Sequence, residues 1–217
     1  MAGRVRRDER SIATQQSLLI AAEQLFAERG VHAVANRQIS EAAGQGNNAA
    51  VSYHFGTKTD VIRAIVRKHT EHMEQLRERM VADIGDSTDL RDWVACMVRP
   101  VTDHLEALGS PTWYARFTAQ ITADPALYAI MTEESVATSP SVRLLLDGLR
   151  RCAPDLPAGV FVERAVMARH LIVQTSVERE RALAEHARSY RLTWDDTATG
   201  LIDAIVGVWQ APVTHDA

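Results

Sequence analysis

At 217 residues, with 46% hydrophobic and 24% charged residues, the sequence has the make-up of a soluble globular protein, and no apolar run reaches the roughly 18 residues of a membrane span. The opening stretch Met1 to Asp8 is basic with no apolar run behind it, which argues against a secretory signal and sets the expectation of a cytoplasmic protein. The net charge of −4 conceals a split, +4 over residues 1–70 against −8 over residues 71–217, and such a split points to a polyanionic partner for the basic part.

Helical periodicity dominates from the start. Arg4, Arg6, Arg7 and Arg10 read as a loose basic arm, followed by a helix from about Ser11 to Arg29 whose stripe is Leu18, Ala22, Leu25 and Phe26. Gly30 suits its left-handed cap. A short helix is expected from Asn36, as N-cap, to Ala43, with Gly44 as its stop. Gln45 to Asn48 then form a turn, and Asn48 to Tyr53 one or two helical turns. Thr57 and Asp60 resemble a capping box that opens a long helix through Val61, Ile62, Ile65 and Val66 toward Met80. Gly85 to Thr88 is the candidate hinge. Further helices are expected near 90–108, 112–123, 125–136, 140–151, 158–188 and 194–210, with prolines at their starts or joints and no sheet.

Two short helices joined by a Gly-containing turn after an amphipathic helix describe a helix-turn-helix. The residues around it are more specific. Leu18 to Gly30 resembles the first helix of the TetR family of transcriptional regulators, and Arg37 to Gly44 that family's second helix and turn. The run Tyr53-His54-Phe55-Gly56-Thr57-Lys58 is similar to the family's signature between recognition helix and fourth helix. Ten residues separate Gly44 from Phe55, one more than the family's usual spacing, and this places Ser52 where relatives often carry an aromatic residue. The resemblance implies an all-α protein. Residues 1–57 would be an arm and DNA-binding domain, 58–86 a connecting helix, and 87–217 an effector-binding and dimerisation domain.

The chemistry of these residues suits the implied roles. Arg37, Tyr53, His54, Thr57 and Lys58 are candidate phosphate contacts, Lys58 standing at a helix N-terminus where backbone N–H groups and the helix dipole favour an anion. Such contacts fix position and salt dependence rather than sequence. Base reading falls to Asn47, Asn48 and Ala49, because an asparagine amide can pair with adenine and a small methyl can meet a thymine methyl. The arginine arm could follow the minor groove.

A regulator of this kind needs a cavity whose occupancy moves the DNA-binding heads. Candidate lining residues are Trp93, Met97, His104, Trp113, Tyr114, Phe117, Met131, His170 and Gln174, a mainly apolar and aromatic set that fits a hydrophobic or amphipathic effector. A plain packed core is the competing reading for each. Ile202, Ile205, Val206 and Trp209 form a stripe, with Val162, Val166, His170 and Val173 as its counterpart. By resemblance the last two long helices make a homodimer interface.

Enzyme readings find little support. There is no G-x-S-x-G, no nucleotide-binding glycine loop and no paired cysteine motif, so neither catalytic residues, cofactor nor metal are expected. His69-x-x-His72 with Glu71 and Glu74 is the nearest approach to a metal cluster, and a solvated charged helix explains it more simply. Cys96 and Cys152 read as unpaired thiols, although Arg150 and Arg151 could lower the pKa of Cys152 and make it redox-sensitive. A helical ligand-binding or scaffold protein without specific DNA readout is the alternative function.

Overall fold

Although Gly3 is a poor helix former, α1 runs unbroken over Ala2–Arg29, so the expected loose arm is instead the first turns of this helix. The computed structural model describes residues 2–47, 49–153, 155–187 and 193–214, and side chains from residue 10 onward except 136–138. Asn48 and the side chains of Arg4, Arg6 and Arg7 therefore lie outside the described residues. Next come α2 (Asn36–Ala42), α3 (Ala50–His54), α4 (Lys58–Ile84) and α5 (Leu90–Leu108). They are followed by α6 (Tyr114–Ala123), α7 (Pro125–Thr138), α8 (Ser141–Cys152), α9 (Ala158–Ala184) and α10 (Trp194–Gln210), with no strand among the described residues.

The chain divides into two compact units that do not follow the sequence-continuous boundaries at 57 and 86. The first joins residues 1–68 to residues 116–135. Its core contains Leu18, Ala22, Phe26, Ile39, Val51, Val61, Ile62 and Ile65, so the stripes of α1 and α4 are buried where periodicity put them. It also contains Phe117 and Ile121 of α6. Phe117 stacks on Phe26, ring centroids 6.2 Å apart, and is a core residue of this unit. Asp124 caps α7 by accepting from the N–H of Ala126 (2.8 Å) and Leu127 (3.2 Å), and its carboxylate also meets His32 at 2.7 Å. Arg63 and Arg67 of α4 reach Glu133 and Glu134 of α7 at 3.2 and 3.0 Å. These are exposed pairs that orient more than they stabilise, at about 0–1 kcal/mol each.

The second unit comprises residues 69–115 and 136–217. Its core is the amphipathic face of α5, with Leu90, Val94 and Val98 covered by Leu201, Ile202, Ile205 and Trp209 of α10. The stripe on α10 that sequence reading assigned to a partner subunit is therefore spent inside its own chain, because the α5 stripe needs covering first. Trp93, taken as a pocket residue, is buried in the same core, with Met97 and Val101 packed against it. Gly85 to Thr88 lies wholly within this unit and is tied down rather than hinged: Trp93 Nε1 donates to the Ser87 carbonyl at 2.8 Å, and Ser87 Oγ to Asp92 at 2.6 Å.

A buried polar clasp attaches α8 to α4. Glu74 accepts from the Ser141 N–H and hydroxyl, each at 2.7 Å, and from Arg77 at 2.8 Å. Burial lowers the Arg77 pKa, with Glu74 pulling it back up. Below this clasp Gly148 lies flat against the Trp93 ring, and a Cβ built there would fall 2.3 Å from ring carbons. Gly148→Ala should therefore destabilise by about 1–3 kcal/mol, through overpacking. Gly159→Ala, at a helical position with open space around it, should be neutral or slightly stabilising. Urea denaturation of the two variants checks the pair.

Candidate nucleic-acid interface

α2 and α3 are short, and each keeps only one face inside. Ile39 and Ser40 of α2 and Ala50 and Val51 of α3 are buried, so Ala49, Ser52 and Tyr53 face outward. Gly44 turns the chain at φ +67°, a value glycine reaches without strain. The N-cap of α2 is Ala35 rather than Asn36: its N–H donates to the Gln38 side chain at 2.8 Å, because alanine offers no acceptor of its own. α3 starts two residues later than expected, and Asn47 is the reason. Its Oδ1 accepts from the Ala49 N–H at 2.9 Å and its carbonyl from the Ala50 N–H at 3.0 Å, so Asn47 starts the helix. That occupies the acceptor of the amide and leaves its NH₂ for any outward contact.

Tyr53 is 83% exposed, and its ring meets His54 edge-on at 4.9 Å. An aromatic side chain left this open on a rigid helix end is an informative exposure. Phe55 is half-buried. Arg37 is exposed and bonds Glu41 at 2.6 Å within α2, a contact that raises its already high pKa and keeps it fully charged. Lys58 has a role the sequence did not reveal. Its Nζ donates to the Val31 carbonyl at 3.1 Å, tying the start of α4 to the α1–α2 connection.

The box at Thr57 and Asp60 forms as expected. Asp60 accepts from the Thr57 N–H at 2.9 Å and hydroxyl at 2.6 Å, while the Asp60 N–H donates to Thr57 Oγ1 at 3.2 Å. Arg37, Asn47, Ala49, Tyr53, His54, Thr57 and Lys58 all belong to the first unit, on α2, on α3 and the residues leading into it, and at the start of α4.

The profile of bacterial regulatory proteins of the tetR family matches residues 18–65, and that of the tetracyclin repressor-like C-terminal domain matches residues 95–207, just over half the chain. The chain belongs to the TetR family. Members of that family are ligand-responsive, DNA-binding transcriptional regulators. Solved structures of similar fold include a TetR-family regulator from Rhodococcus sp., at 17% identity, covering 91% of this chain and 99% of that chain with a TM-score of 0.53. Another is PfmR from Thermus thermophilus, at 15% identity, covering 87% and 96% with a TM-score of 0.52. LfrR from Mycobacterium smegmatis, solved with proflavine, is 19% identical over 94% of this chain and 99% of its own, with a TM-score of 0.48. At these identities the likeness to the first two is one of fold. No curated protein matches the chain.

Of the residues expected at an effector site of this TetR-family chain, a few are brought into contact. His104 and Tyr114 do meet, edge-on at 5.7 Å, and both are buried. Trp113 is half-buried; Phe117 and Met131 belong to the first unit; His170 and Gln174 are exposed on α9. Sequence reading missed His69 here and treated it as part of a surface cluster. It is 1% exposed, hydrogen-bonded to His104 at 2.7 Å and stacked on Tyr114 at 3.8 Å. The signal was available: Ile62, Ile65, Val66 and His69 fall at spacings of three and four on the buried face of α4. His72 is exposed, and among the described residues no three His, Cys, Asp or Glu side chains are disposed to hold a metal ion.

Neither thiol is activated. Burial pushes Cys96 up to about 11 and raises Cys152 as well, the pull of Arg151 on the latter being the smaller effect. Asp60 moves the other way, held below its ordinary value first by the Thr57 hydroxyl and then by the Thr57 N–H. A carboxylate lowered in the folded state contributes stability above its ordinary range, and that contribution disappears as pH falls through the folded value. Carbon-detected NMR titration should place the Asp60 midpoint below 3.8, and Thr57→Val should move it back up toward that value.

Proposed function

We propose that the chain represses transcription as a homodimer that leaves a palindromic operator when a small hydrophobic or amphipathic effector binds. Residues 1–57 serve as the DNA-binding domain, 58–86 connect, and 87–217 provide most of the effector and dimer surfaces, with α6 and the first part of α7 packed into the DNA-binding unit. The observation that carries the reading is the outward face at α3, where Ala49, Ser52 and an 83%-exposed Tyr53 stand over the buried Ala50 and Val51. Arg37, Tyr53, His54 and Thr57 grip phosphates, and Lys58 adds charge while holding Val31. Asn47, Asn48 and Ala49 meet base edges in the major groove, two such helices spanning one DNA turn of about 34–36 Å.

The face that α9 leaves uncovered supports the dimer reading. Val162, Val166 and Met167 are 60%, 38% and 51% exposed, and α10 presents the small residues Ala204 and Gly207 to solvent, with Ala211 just past its end. Small residues on one helix beside an apolar stripe on the next suit close approach of a second pair. The effector is placed near His104 and Tyr114, joined by His69 of α4, the helix that also begins at Lys58. A shift of α4 on binding changes the spacing of the two heads, and a coupling of about 1–3 kcal/mol changes operator affinity roughly 5- to 150-fold.

A fluorescence anisotropy titration against duplex flanking the protein's own gene tests the DNA role. Tyr53→Ala should weaken binding at least tenfold, and Arg37→Ala should reduce the slope of log affinity against log salt by about 0.9, as for one phosphate contact. Indifference of the wild-type protein to specific duplex at low ionic strength would favour the ligand-binding or scaffold reading instead. For the dimer, light scattering should report twice the 24.0 kDa chain mass, falling to a single chain in Val166→Glu with helicity retained.

A further inference from the structure

Asn47 stands exposed just ahead of α3, and one end of its side-chain amide is already committed. Oδ1 accepts from the N–H of Ala49, two residues on, at 2.9 Å, and the Asn47 carbonyl takes the Ala50 N–H at 3.0 Å. Chemistry fixes which way round the amide lies. A flipped amide would set its NH₂ against the Ala49 N–H, donor against donor. No partner of Nδ2 lies among the described residues, so an NH₂ with two hydrogens to donate remains on an exposed side chain.

This orientation decides what the side chain can read. In the major groove an asparagine pairs with adenine through both ends of its amide, the oxygen accepting from N6 and the nitrogen donating to N7. At Asn47 the oxygen is turned into its own helix start instead. The second lone pair on Oδ1 does not restore the pair, because facing the amide edge-on to a base means rotating it off Ala49 and undoing the turn that begins α3. What is presented outward is a donor alone.

Guanine is the base that matches a donor. Its major-groove edge carries two neighbouring acceptors, O6 and N7, whereas adenine sets an amino group beside its N7 and cytosine shows only an amino group. Thymine has one acceptor, O4, crowded by its methyl group. A phosphate oxygen would also accept. In a helix-turn-helix, however, the residues at the N-terminal end of the second helix lie over base edges, and Asn47 is at that end of α3. We infer that Asn47 reads guanine, as a donor to O6 or N7, in place of the adenine that its residue type suggests. The inference rests on the DNA-binding reading above and narrows it to one base.

Selection from random duplex by the full-length wild-type, Asn47→Asp and Asn47→Ser proteins is the test, followed by anisotropy titration on the selected site. All three side chains keep an oxygen for the Ala49 N–H, so circular dichroism should show equal helix content. The wild type should enrich guanine at the half-site position that the substitutions alter. It should bind that site about tenfold better than the adenine variant, and equally well with inosine, which keeps O6 and N7. Asn47→Asp exchanges the donor for a second acceptor and should move the preference to cytosine or adenine, the bases that present an amino group. Asn47→Ser, too short to reach, should lose the preference. Enrichment of adenine by the wild type at that position would overturn the assignment. So would base preferences that neither substitution alters, including a weakening spread evenly over all sequences, as for a phosphate contact. Those results leave the DNA-binding reading standing, whereas a wild-type protein that enriches no sequence at all would sink both.

Discussion

The closure of α4 by Thr57 and Asp60 is the interaction on which the DNA-facing side depends. It fixes the point where α3 ends and α4 begins, with Gly56 at φ +89°, where an added Cβ would stand only 3.2 Å from the Asp60 carboxylate. From the next residue Lys58 reaches back to Val31. One short segment therefore holds α3, α4 and the α1–α2 connection together. Were the box to open, the side chains of Tyr53 and His54 would lose a common frame, although neither takes part in it. The same helix carries His69 into the second unit, so a local cap sets the start of an element that contributes to both.

Helix positions were legible in the sequence to within a turn almost everywhere, because amphipathic periodicity and Pro or Gly punctuation are local signals. The extremes of α1 and the start of α3 were not. At α1, the arginines and Glu9, good helix formers, extend past Gly3 a helix that has no stripe to announce it. At α3, Asn47 bonds the backbone ahead of it, so a residue read as a base contact is first a helix-starting one. In both cases the backbone's own hydrogen-bonding needs decided the matter before any partner could.

Which element packs on which was far less legible. Phe117 and Trp93 are both buried aromatics on amphipathic helices, yet one belongs with Phe26 and the other with Gly148. Periodicity says that a face is covered and is silent on what covers it. The pairs that settle the assignment of α7 are Arg63 with Glu133 and Arg67 with Glu134, separated by 70 and 67 residues. Nothing local links such charges. The same blindness explains α10, whose stripe looked available to a partner until α5 claimed it. It explains His170 and Gln174 too, polar residues on a helix whose outward face is apolar enough to be taken for an inward one.

Arg77 and Arg164, two of the buried arginines of the second unit, show how differently one side chain can be accommodated. Arg77 has Glu74 at 2.8 Å, and Glu74 is in turn held by Ser141, so the charges cancel within the protein. Removing one member of such a pair typically costs about 3–5 kcal/mol, since it strands the other. Arg164 instead faces carbonyl dipoles at the end of α10, which attract a cation without cancelling it. A pair like Glu74 and Arg77 is electrically complete and serves to lock α8 to α4. A guanidinium like Arg164 keeps its charge and spends its terminal nitrogens on holding the end of α10 to α9. Burial alone does not separate these roles; the identity of the acceptor does.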